Sequence, residues 1–300
     1  MEQWNANDET SGVYPARDAE RSTHNLDDRK SIEVDRANAP IGVFDSGAGG
    51  LTILSALRQE LPQEDYIYFG DTAHCPYGVR SDAEIIELSS NAMRFFIDQG
   101  VKLIVVACNT ASQAALSALR ATFAIPFVGV VPAVKPAARA TKRGRIGVAA
   151  TNQAVKAAYL HHLIEDFAAG VQVYAVGCPE LVTLVELGEL DGPVVEETLR
   201  HVLQPLLSQD VDVVVLGCTH FPAMRPAIER VVGKHVQVID SGVAVARRTH
   251  AILDAEFATR PIAVDCIGRL QIWCSGDPAT FSQVASKVLG YSVVAQQVMP

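Results

Sequence analysis

From Pro40 onward the chain alternates between short apolar runs and amphipathic stretches. The runs are rich in Val and Ile: "IGVF", "YIYFG", "LIVVA", "FVGVV", "RIGVAA", "VQVYAV", "VVVLG", "VQVID" and "LQIWC". Between them lie segments of helical character, among them Leu51 to Leu61, Ala83 to Gln99, Ala111 to Phe123 and Val195 to Leu207. Strand-length runs alternating with helices predict mostly parallel sheets covered on both faces, so the expected fold class is α/β. In such sheets ligands sit at the C-terminal ends of the strands. Two runs carry reactive residues at that end. "LIVVACNTAS" leads into Cys108, Asn109 and Thr110, and "DVVVLGCTHFP" leads into Cys218, Thr219 and His220.

Two pairs of segments echo each other. "VFDSGAG" (Val43 to Gly49) resembles "VIDSGVA" (Val238 to Ala244), and "VVACNT" resembles "VVLGCTH". Together they suggest two similar lobes facing each other across a cleft that holds the active site. "GVVPAVKPAARATKRG" (Gly129 to Gly144) reads as the passage between lobes, with a return near Asp240 to Gly242. This assigns residues 40–132 and 242–300 to a first lobe and 133–241 to a second. Residues 1–39 are polar, mixed in charge and without a sustained apolar period, and read as a disordered or partner-dependent extension.

Composition narrows the partners. The net charge of −9 repels nucleic acid and anionic lipid at long range. No apolar run approaches the roughly 20 residues that cross a bilayer, and the N-terminus has no apolar core of a secretory signal. The chain is expected in the cytoplasm, touching neither nucleic acid nor membrane, with its six cysteines as thiols.

Free cysteine often only fills space. Cys108 and Cys218 differ from that pattern because polar side chains follow each at once and a helix is expected a few residues on. Unpaired N–H groups at a helix start stabilise a thiolate and also receive a carboxylate. A structural zinc site would want CxxC pairs, which are missing, so no metal is expected. A thiol hydrolase could use Cys218 with His220 but would leave Cys108 without a task. Cys178, Cys266 and Cys274 read as packing residues, and Cys75, in the loop "HCPYG", is less clear. The loop "GVFDSGAGGLT" (Gly42 to Thr52) lacks the third glycine of a dinucleotide fingerprint, because Thr52 stands there. Asp45 and Ser46 suit an ammonium and a carboxylate, or a helix N-cap. In "YIYFGDTAHCPYGVRS" a polar loop offers the Tyr77 phenol and the backbone of Gly78; a tight turn would explain it equally.

"GVFDSGAGGLT", "YFGDTAHCPYG", "VVACNTAS", "GVVPAVKPA", "LGCTHFP", "VIDSG" and "SGDP" stand in the order and spacing typical of glutamate racemases, and the resemblance runs from Pro40 to Leu289. It implies cofactor-independent interconversion of L- and D-glutamate for peptidoglycan precursors, in two α/β lobes around a central cleft. By resemblance Cys108 and Cys218 are the paired acid/bases, with Asp45 and His220 assisting. Substrate contacts are expected from Asp45, Ser46, Tyr77, Gly78, Asn109, Thr110, Thr219 and His220. Asp71 and Glu186 resemble further carboxylates near the site, although "CPELVTLVE" departs from the proline-containing form around the latter. The expected partners are L- and D-glutamate, a second copy in a homodimer, and a cell-wall precursor as activator, since some members with N-terminal extensions respond to one. A racemase for aspartate or another amino acid, and a non-catalytic amino-acid sensor, are the competing readings.

Overall fold

A computed structural model describes residues 37–257 and 267–300. Residues 1–36 of the N-terminal extension, and Cys266, lie outside the described residues. Among the described residues ten strands form two sheets, and all eight strand pairings between neighbours are parallel. The larger sheet contains β1 (Ile41–Asp45), β2 (Tyr66–Gly70), β3 (Leu103–Val106), β4 (Phe127–Gly129), β9 (Leu270–Cys274) and β10 (Ala295–Gln297), in the order β10-β9-β2-β1-β3-β4. The smaller contains β5 (Arg145–Ala150), β6 (Gln172–Gly177), β7 (Val213–Leu216) and β8 (Gln237–Ile239), in the order β6-β5-β7-β8. The α/β class is as expected. The short β10 had no signal in the apolar pattern because Gln296 and Gln297 are exposed.

The inner strands β1, β2, β3, β5 and β7 are apolar on both faces because helices cover both. Along β1, Val43 packs with Leu51, Leu54 and Leu57, while Phe44 packs on the opposite face with Met93 and Phe96. In the smaller sheet Val214 and Leu216 point to one cluster and Val213 and Val215 to the other. Full burial of such side chains contributes roughly 1.5–3 kcal/mol each relative to exposure.

Four strands follow one plan in both sheets: β2-β1-β3-β4 and β6-β5-β7-β8. This makes β3 the counterpart of β7, so the echo "VVACNT"/"VVLGCTH" marks equivalent positions. The other echo does not. "VFDSG" lies on β1, inside the larger sheet, whereas "VIDSG" ends β8, at the edge of the smaller. What they share is a local turn: Asp45 Oδ1 accepts from Gly47 N, and Asp240 Oδ1 accepts from Gly242 N, at 2.8 and 2.7 Å. Similar sequence here encodes an Asx turn rather than a similar place in the fold.

The passage between sheets includes the helix Val134–Ala140. The return runs into the helix Gly242–Glu256, which packs with the larger sheet through Val245, Ala246 and Leu253. Ser241 Oγ donates to Val131 O at 2.5 Å and ties the two crossings together.

Candidate active site

Each sheet changes winding direction at one point, between β1 and β3 and between β5 and β7. Ligands bind outside the strand ends at such points. The two points face each other. Cys108 stands two residues beyond β3 and Cys218 two residues beyond β7, matching offsets on equivalent strands. Both thiols line one small cavity of ≈ 10 Å³, about the room of a single water.

Eight other residues singled out by sequence fall as follows. Ser46, Tyr77, Gly78, Asn109, Thr110, Thr219 and His220 line the same cavity. Asp45, fully buried, stands behind it, with Oδ1 held by Gly47 N and Oδ2 accepting from Thr219 Oγ1 at 3.0 Å across the cleft. It does not cap the following helix: the residue before that helix is Gly50, and no side chain caps it. The two further carboxylates also lie outside the cavity wall. Asp71 accepts from Tyr77 OH at 2.6 Å and from Ser275 Oγ at 2.6 Å, so it fixes the phenol. Glu186, at the C-terminal end of the helix Pro179–Glu186, bonds His220 Nε2 at 2.5 Å and accepts from Ala48 N at 2.7 Å. The departure from the expected pattern around Glu186 has not removed its carboxylate from the site.

Sequence reasoning passed over Pro76, Thr151 and Val182, which complete the wall. Thr151 follows β5 directly and shares a 3.3 Å hydrogen bond with Thr110 across the cleft. A hydroxyl at the exit of "RIGVAA" was the available signal. Gly78 faces Thr151 closely: a Cβ there would lie 3.1 Å from Thr151 Cβ. Cys178 and Cys274 pack in the cores.

The two thiols have different surroundings. Cys108 precedes the helix Asn109–Thr122 and its Sγ accepts from Ala111 N at 3.4 Å, with Ser46 Oγ at 3.6 Å. The helix start was expected to favour the thiolate. Burial and the nearby Asp45 charge outweigh those bonds and push the thiol up to about 12. Beyond Cys218 the chain forms a 3₁₀ turn, Phe221–Met224, before the helix Arg225–Val232, so the expected α-helix start is displaced. Cys218 Sγ is instead 3.6 Å from His220 Nδ1.

His220 is the positive centre of the site. Burial opposes its imidazolium, yet hydrogen bonds to Cys218, Cys75 and Glu186 win and hold it well above its ordinary value. Glu186 moves the opposite way: burial raises it, but the hydrogen bond and charge of His220 hold it below the usual range. Opposite shifts on bonded partners describe an ion pair. Burial raises Asp45, partly offset by His220 and Gly47 N. Asn109 Nδ2 is buried without a partner, an unpaired donor that costs about 1–3 kcal/mol until an acceptor arrives.

The chain has counterparts among known proteins. Residues 50–249 match the family described as Asp/Glu/Hydantoin racemase. A glutamate racemase of Herpetosiphon aurantiacus is 45% identical over 82% of this chain and 96% of its own length. One from Deinococcus radiodurans is 46% identical over 81% of this chain and 84% of its own. The crystal structure of Escherichia coli glutamate racemase, in complex with L-glutamate and the activator UDP-MurNAc-Ala, superposes with a TM-score of 0.76, at 37% identity, over 86% of this chain and 97% of that one. The chain belongs to the glutamate racemases of the Asp/Glu/hydantoin racemase family.

Proposed function

We propose that this chain interconverts L- and D-glutamate by a cofactor-independent two-thiol mechanism. The observation that carries the reading is the pair of sulfurs from equivalent strand ends, lining one cavity. Racemisation removes the α-proton from one face and delivers another to the opposite face. One sulfur accepts a proton while the other, as thiol, donates one. Cys108, kept protonated by burial, suits the donor, and Cys218 beside the imidazolium of His220 suits the acceptor; the roles exchange in reverse. The α-carbon is a weak acid, so the site must stabilise a carbanion. Asn109 Nδ2 and the hydroxyls of Ser46 and Thr110 supply donors for the carboxylates, Tyr77 and Gly78 close the wall, and the Asp45 carboxylate behind it, bonded by Thr219 Oγ1, suits the ammonium.

Residues 40–132 and 242–300 form the first working lobe and 133–241 the second. The product supplies peptidoglycan synthesis in the cytoplasm. By analogy with the Escherichia coli relative, whose structure holds it, UDP-MurNAc-alanine serves as activator. A second copy of this chain completes the working form as a homodimer. Among the described residues no helix is long and apolar enough to cross a membrane.

The decisive experiment is turnover of each glutamate enantiomer in D₂O by wild type, Cys108→Ala and Cys218→Ala. The expected result is solvent deuterium at Cα in wild type and a loss of at least about 10³-fold in both variants, within the range of acid–base contributions. Full activity in either variant refutes the two-base scheme.

A further inference from the structure

Cys75 takes no part in the proton transfers above, yet its thiol points into their machinery. The ligand atoms of Cys75, Glu186 and His220 all lie within 4.8 Å of one another. They arrive from three elements: the loop after β2, the end of the helix Pro179–Glu186 and the turn after β7. Their surroundings hold them in place. Ala48 N donates to Glu186 Oε1, and Cys218 Sγ engages His220 Nδ1, which leaves Nε2 directed at Glu186. Gly47 lies against the group: a Cβ there would be 2.1 Å from Glu186 Oε1 and 2.9 Å from Cys75 Sγ. Outer partners that orient the imidazole and the carboxylate are what a metal site requires.

A sulfur, an imidazole nitrogen and a carboxylate oxygen form a zinc-type donor set, and the thiolate selects against Mg²⁺ and Ca²⁺. We propose that Cys75 Sγ, His220 Nε2 and a Glu186 carboxylate oxygen form an inhibitory site for Zn²⁺ or another thiophilic divalent cation, completed by water. Tetrahedral zinc holds its N and O ligands roughly 3.3 Å apart, so the His220–Glu186 pair opens by roughly 0.8 Å on loading. The ion displaces the Cys75 thiol proton and the proton shared by His220 and Glu186. Because these protons leave when the metal enters, binding tightens as pH rises. With His220 metallated, the cation beside Cys218 no longer exchanges protons, and racemisation stops. The binding stands on geometry alone; the inhibition rests on the racemase reading.

The test uses the full chain with Co²⁺ as spectroscopic probe and Zn²⁺ as inhibitor, in wild type and Cys75→Ser. Wild type is expected to show thiolate-to-cobalt charge transfer in the near ultraviolet, and loss of activity with Zn²⁺ that EDTA restores. Cys75→Ser is expected to lose the band and to need at least about tenfold more Zn²⁺ for half-inhibition, each protein being measured against its own metal-free rate. Equal Zn²⁺ sensitivity of both proteins would place the metal on Cys108 and Cys218 and overturn the proposal. Absence of the cobalt band in wild type overturns it even if Cys75→Ser fails to fold. A band in a protein without racemase activity would instead refute the proposed function and leave the site standing.

Discussion

At the scale of single residues, the site depends on one charged pair. His220 carries its proton because Cys218, Cys75 and Glu186 outweigh the burial that opposes it. Glu186→Gln keeps the acceptor for Ala48 N but removes the charge. The raised His220 value then falls, so the alkaline limb of the pH–rate profile, where the imidazolium loses its proton, moves to lower pH. A decrease in kcat of about tenfold is expected, with KM changed less, read from initial rates across pH. An unmoved alkaline limb would show that Glu186 does not hold the ring charged. Cys108, Cys218, His220 and Asp45 were legible in the sequence because reactive side chains next to apolar runs are a local signal. The Cys108 thiol's preference for its proton was not, because desolvation sums over many atoms distant in sequence.

At the scale of elements, the turn after β3 is set by Ser112. Its Oγ donates to Val106 O at 2.8 Å and accepts from Val130 N at 3.0 Å, joining the end of β3, the helix behind Cys108 and the segment after β4. Ser112→Ala leaves both backbone groups buried and unpaired, a loss of about 1–3 kcal/mol. Thermal denaturation should show Tm lower by about 2–4 °C for each kcal/mol lost. An unchanged Tm would show that other partners replace the hydroxyl. The apolar runs foretold nine of the ten strands because buried parallel strands must be apolar on both faces. They did not foretell which strands correspond between sheets: "VIDSG" copies the turn of "VFDSG" but ends an edge strand.

At the scale of the whole molecule, the cavity of ≈ 10 Å³ has room for a water and not for an amino acid, so the sheets must part to admit substrate. Several bonds cross the cleft, among them Thr219 to Asp45, Ala48 to Glu186, Thr52 to the Thr219 carbonyl and Gln153 to Asp82, and these are the ones that opening must break. Both crossings of the chain are tied at Ser241 and Val131, which leaves that end as the natural pivot. D-Glutamate at a hundredfold excess over Kd should stabilise the fold by about 2.7 kcal/mol and slow hydrogen exchange at Gly47, Ala48 and Gly78. Equal exchange with and without ligand would argue against closure upon binding.

By itself the sequence determined the α/β class, the strand ends that bear chemistry, both thiols and the family, since each is written in a contiguous stretch whose pattern or side chains need no distant partner to be read. Tertiary structure alone decided that Glu186 bonds His220, that Asp71 holds Tyr77, that Thr151 closes the wall and that Cys75 joins the histidine and carboxylate. Except for Asp71 and Tyr77, six residues apart in one loop, those pairings join segments whose separation along the chain carries no signal, and they exist only where folding brings them together.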